Sequence, residues 1–92
     1  MKVIRWEQAK NKKLKSERGV SFEAVLAAVE RGDLLDDFTH PNQGKYPNQR
    51  ILIVQIKGYA YIVKYVDTES EVFLKTIIPS RKATKDYLGR RL

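Results

Sequence analysis

A chain of 92 residues, 42% of them hydrophobic, fits one domain with a single modest core and leaves no room for a second. The absence of cysteine removes disulfides, thiolate nucleophiles and thiolate metal sites, so the core must hold by packing alone. A net charge of +7 directs attention to phosphate backbones, acidic partners or anionic surfaces rather than to cationic ligands.

Val3 and Ile4 can open a short strand. Trp6, Ala9 and Leu14 then define a thin apolar stripe on a predicted helix running to about Arg18. At the helical period Lys10 and Lys13 fall on or beside the Trp6 side, so they must snorkel, pair or face a ligand, whereas Lys12 and Lys15 point away. Gly19 suits the left-handed cap of that helix, and Ser21 suits the N-cap of the next. Phe22, Val25, Leu26 and Val29 recur at i, i+3, i+4 and i+7 up to a stop at Gly32, the clearest helical pattern in the chain.

Leu34 to Phe38 reads as a short strand, followed by an irregular loop, Thr39 to Gln49, broken by Pro41, Gly44 and Pro47. Three stronger strands come next, Arg50 to Lys57, Tyr59 to Val66 and Glu71 to Ile78, all rich in β-branched and aromatic residues. Lys57-Gly58 and Asp67 to Ser70 read as the turns of an antiparallel meander. Pro79 ends the last strand because it has no N–H for the ladder, and Ser80 to Leu92 is expected to form a short basic helix or tail, with Thr84 as its cap. The predicted architecture is α+β: one domain, 1–92, with its helices on one face of an antiparallel sheet.

Charge is uneven along this order. Met1 to Arg18 holds seven Lys/Arg against two Glu, and Lys75 to Leu92 six against one Asp, while the middle holds five basic and eight acidic residues. If folding joins the ends, they make one positive face able to attract phosphate backbones, acidic protein partners or anionic membrane surfaces, or else a merely solvated basic surface. Lys57, Lys64 and Lys75 interrupt apolar runs, and Tyr59, Tyr61 and Tyr65 share one face at the strand period of two. Such residues suit phosphate contacts and stacking on unpaired bases; equally, lysines can guard a sheet edge and tyrosines fill a core.

Many chemistries are missing. His40 is the only histidine, so a two-histidine acid/base pair within the chain is excluded, and the glycines are too scattered for a phosphate loop. Asp33, Asp36, Asp37 and His40 form one acidic cluster whose spacing fits no standard metal pattern, so neither a metal nor another cofactor is expected. RNA cleavage needs neither: a 2′-hydroxyl can attack the adjacent phosphorus if one group takes its proton and cations stabilise the phosphoryl charge. No run reaches the roughly 20 apolar residues of a membrane span, and Met1 to Trp6 is too short and charged for a secretory signal, so a soluble cytoplasmic protein is expected.

Trp6-Glu7-Gln8-Ala9-Lys10 followed by Gly19-Val20-Ser21-Phe22-Glu23-Ala24, then Arg50-Ile51-Leu52-Ile53, Val63-Lys64-Tyr65, and Ile77-Ile78 with Arg81-Lys82-Ala83-Thr84, resemble in order and spacing the BrnT family of bacterial toxins. The chain departs from that pattern at Leu14, Glu17 and Arg18, where Asn, Lys and His are usual, and Pro79-Ser80 replaces Ser-Ala. The resemblance implies a RelE/ParE-like fold, an RNA-cleaving activity that halts translation, and a ribbon-helix-helix antitoxin through which operator DNA is reached. On this reading Arg50, Lys64 and Arg81 hold phosphate and stabilise charge, Lys64 or Tyr65 moves the proton, and Lys10, Lys13, Lys75 and Lys82 bind RNA. The competing expectations are a non-catalytic RNA-binding or partner-binding module of the same fold and an enzyme of another class using His40 and the aspartates.

Overall fold

The computed structural model describes residues 2–89, an α+β domain of three helices and one five-stranded sheet. In chain order these are β1 (Val3–Arg5), α1 (Gln8–Arg18), α2 (Phe22–Glu30), β2 (Leu34–Thr39), β3 (Gln49–Ile56), β4 (Tyr59–Asp67), β5 (Glu71–Pro79) and α3 (Arg81–Leu88). The sheet order is β1-β5-β4-β3-β2. β3 to β5 form the expected antiparallel meander, β2 extends it antiparallel to β3, and β1 lies parallel to β5, so the sheet is mixed. Arg90 and Arg91, part of the basic C-terminal stretch, lie outside the described residues.

Local chemistry explains the turns. Lys57 and Gly58 both have positive φ, 51° and 76°, the pair of left-handed residues that a two-residue hairpin needs to match strand twist. Gly19 closes α1 at φ 66°, its N–H bonding the Lys15 carbonyl. Ser21 caps α2 by accepting from the Ala24 N–H.

The α1 stripe differs from its expected form. The helix begins at Gln8, so Trp6 precedes it and stacks on Phe22, ring centroids 5.7 Å apart. Ala9 is exposed, and the buried residues of α1 are Leu14 and Asn11. Asn11 is interior because it satisfies two groups of the next helix: its Oδ1 accepts from the Phe22 N–H at 2.8 Å and its Nδ2 donates to Glu23 at 2.7 Å. The second bond, foremost among the causes, holds the Glu23 carboxyl below its usual range. A polar side chain thus ties the start of α2 to α1.

The sheet is covered on both faces. Over one face Leu14, Val20, Phe22, Val25 and Ala28 pack on Val54, Val63, Tyr65, Leu74 and Ile77. On the other, α3 sets Ala83 and Leu88 against Ile53, Ala60 and Ile62, beside Leu35 and Phe38. The expectation of all helices on one face is corrected here. Ile53 and Val54, and Ala60 and Tyr61, are strand neighbours that must point opposite ways, and both members of each pair have a core to enter.

The cap of α3 is also corrected. Ser80, not Thr84, is the N-cap, accepting from the Ala83 N–H at 3.0 Å. Thr84 is fully buried; its hydroxyl accepts from the Ala60 N–H at 2.9 Å and donates to the Ser80 carbonyl at 2.7 Å, pinning α3 to β4. Tyr87 adds a bond from its hydroxyl to Asp36 on β2.

A bulge adjusts β5. Lys64 pairs with Thr76 but Tyr65 with Leu74, leaving Lys75 as the extra residue. Leu74 and Ile77 can then both face the helices, which strict alternation forbids, and Lys75 is thrown outward.

Candidate functional site

Register brings three strands to one point at the β2/β3/β4 end of the face covered by α1 and α2. Thr39 pairs with Arg50, and Arg50 pairs with Tyr65. The Arg50 guanidinium is held on three sides: Nε donates to the Tyr65 hydroxyl at 3.0 Å, Nη1 to Thr39 Oγ1 at 3.0 Å, and Nη2 to Asp37 Oδ1 at 3.3 Å. Tyr65 in turn donates to Asp37 Oδ1 at 2.7 Å. Three of five guanidinium N–H donors are engaged, leaving one on each Nη. The Arg50 side chain is 31% exposed and that of Asp37 37%, so this rim of the sheet is open to solvent.

Protonation follows from those contacts. The hydrogen bond to Tyr65 and the charge of Asp37 raise the Arg50 pKa further, fixing a permanent cation. Burial, reinforced by the bond to Asp37, pushes Tyr65 up to about 12. Tyr65 is therefore a neutral hydrogen-bond donor at physiological pH, the opposite of the lowered phenol that a proton-accepting role requires. Because ionisation is harder in the folded chain, the associated stability is complete below the ordinary tyrosine value near 10 and disappears as pH rises through about 12. Urea unfolding should show this alkaline loss in the wild-type chain, and Tyr65→Phe should reduce it.

No family model, curated protein or solved structure matches this chain.

The sheet divides the expected catalytic set. Arg50 and Tyr65 are bonded on the α1/α2 face. Lys64 neighbours Tyr65 along β4 and pairs with Ile51, so its side chain leaves from the opposite face, and Arg81 begins α3 on that same opposite side. Lys64 and Arg81 thus do not converge with Arg50. The two basic ends are separated in the same way, α1 lying against β5 on one face and α3 against β4 on the other.

Of the expected RNA contacts, Lys10 is half-buried and Lys13 exposed on α1. Among the described residues neither they nor Lys12, Lys15 and Arg18 have a carboxylate partner. Arg18 instead donates to the Ile77 carbonyl on the β5 edge. Lys75 stands on that edge at the bulge, whereas Lys82 is paired with Asp86 at 2.8 Å on the α3 side. Tyr61 packs against the core and Tyr65 is only 6% exposed, so these rings serve packing rather than an open stacking surface.

Two site residues, Asp37 and Thr39, were absent from the expected set. Asp37 was grouped with Asp33, Asp36 and His40, but the fold disperses that cluster. Asp36 turns to Tyr87, Asp37 to Tyr65 and Arg50, and Asp33 to Arg31. Among the described residues no group of three or more His, Cys, Asp or Glu is placed to hold a metal ion. His40 accepts at Nδ1 from the Asn42 N–H, and its ring lies 4.6 Å from that of Tyr46 within its own loop.

Proposed function

We propose that this chain is the toxin of a type II toxin-antitoxin pair similar to BrnT, a cytoplasmic ribonuclease that cleaves RNA without a metal and so halts translation. A ribbon-helix-helix antitoxin neutralises it, and operator DNA is reached only through that complex. The observation that carries the reading is Arg50, a permanent cation oriented by Tyr65, Thr39 and Asp37 with an N–H left on each Nη, the fork that grips two phosphoryl oxygens. The lysines of α1, which have no carboxylate partner among the described residues, supply the accompanying attraction for a polyanion. Among the described residues no helix is long and apolar enough to cross a membrane.

The test is induction of the chain alone and together with the product of the adjacent reading frame, expected to be a ribbon-helix-helix protein. The expected outcome is growth arrest with loss of bulk translation, relieved by the partner. Normal growth with full accumulation of the intact chain contradicts the proposal.

A second reading has an observation of its own. Arg50, Tyr65, Asp37 and Thr39 also lock β2, β3 and β4 together, and Tyr65 keeps its proton. That suits a non-catalytic RNA-binding or partner-binding module of the same fold. RNA binding with a steep salt dependence and no cleavage distinguishes it.

A further inference from the structure

Metal-free cleavage of RNA needs an acceptor for the 2′-hydroxyl proton close to the cation that steadies the phosphoryl group. The groups around Arg50 differ in their fitness for that task. Tyr65 retains its own proton and is a donor. Thr39 Oγ1 is already engaged by Arg50, and an unactivated hydroxyl is no base at neutral pH. Lys64 leaves from the other face of the sheet, and His40 is held by Asn42 and Tyr46.

Asp37 remains. Its Oδ1 is fixed by two donors, the Tyr65 hydroxyl at 2.7 Å from β4 and Arg50 Nη2 at 3.3 Å from β3. Among the described residues no hydrogen bond reaches Oδ2, and the side chain is 37% exposed. One carboxylate oxygen is therefore an anchor and the other is available, with its direction set by the anchor. Both donors keep their protons at physiological pH, so neither competes for the proton that Oδ2 would receive.

We propose that Asp37 is the general base of the cleavage step, an assignment that rests on the ribonuclease reading above. Oδ2 takes the 2′-hydroxyl proton as the freed electron pair of O2′ forms a bond to the adjacent phosphorus. The bond from phosphorus to O5′ breaks, its pair stays on O5′, and O5′ takes a proton from water. Asp37 then returns its proton to solvent, and the products are a 2′,3′-cyclic phosphate and a 5′-hydroxyl. Arg50 balances the charge gathering on the non-bridging oxygens. Tyr65 is a positioning residue that sets the carboxylate plane.

The test uses the purified full chain on a single-stranded RNA under single-turnover conditions. Asp37→Asn keeps an oxygen for Tyr65 and Arg50 but loses basicity. It is expected to lower the cleavage rate by about 10²- to 10⁴-fold while RNA binding is retained or tightened. It also flattens the fall in rate toward acid pH. Asp37→Glu restores part of the rate, since a carboxylate returns. Asp37→Ser is measured beside Asp37→Asn, each checked against the wild-type unfolding midpoint, so that one folded variant suffices. Wild-type cleavage with an equal rate and pH profile in the folded variant overturns the role of Asp37 and leaves the ribonuclease reading in place. A wild-type chain that cleaves no RNA overturns both.

Discussion

Arg50→Ala is expected to reduce RNA cleavage by about 10²- to 10³-fold, the range seen when a single preorganised donor to a developing oxyanion is lost. Arg50 is the one cation of the expected catalytic set that is both held in a fixed orientation and partly exposed beside a carboxylate. Lys64→Ala and Arg81→Ala each remove a charge from the opposite side of the sheet. Their effects should stay below about tenfold and act through RNA affinity, as expected for partly screened charges at a distance. Single-turnover rates and binding constants for the three variants, taken at one salt concentration, check this. A loss with Lys64→Ala or Arg81→Ala equal to that with Arg50→Ala would move the site across the sheet.

Phe22→Ala should cost about 3–5 kcal/mol of folding stability, because it removes a fully buried ring and leaves a cavity. Phe22 stands where three features meet: it opens α2, its N–H is bonded by Asn11, and its ring stacks on Trp6. Against a typical total of roughly 5–15 kcal/mol, that loss leaves a small domain marginal. Urea unfolding should show a much lower midpoint with an unchanged slope. A change under about 1 kcal/mol would mean that Trp6 and its neighbours close the cavity.

Local elements were largely legible in the sequence, since the period of Phe22, Val25, Leu26 and Val29 and the β-rich runs from Arg50 onward carry strong signals. Features set by tertiary partners were less so. Asn11 reads as a solvent residue on a lysine-rich helix, because its reason for burial lies in the backbone of α2. The bulge at Lys75 breaks the alternation on which face assignment depends, and the placement of α3 requires knowing that β3 and β4 have apolar residues on both sides. For Ser80 and Thr84, both able to cap, the choice was made by the Ala60 N–H, which needed a partner in the core.

The site was legible in part. Arg50 stood out at the head of a strand after an irregular loop, and Tyr65 as one of three tyrosines on a common face. Asp37 and Thr39 could have been joined to them only through register: pairing Thr39 with Arg50 places the alternate residue, Asp37, on the same face. A bulge at Leu35 shifts that register and makes an alternation count from Leu34 misleading. The resemblance singled out Lys64 and Arg81 along with Arg50, but a list of residues in chain order carries no information on which side of a sheet each one stands.

Metal-free cleavage at Arg50 is tested by product analysis of a single-stranded RNA incubated with the purified chain in the presence of a strong metal chelator. The expected products are fragments ending in 2′,3′-cyclic phosphate and beginning with a 5′-hydroxyl, formed by the wild-type chain and lost in Arg50→Ala. Intact RNA, cleavage that stops with the chelator, or fragments carrying a 5′-phosphate would contradict metal-free cleavage at this site.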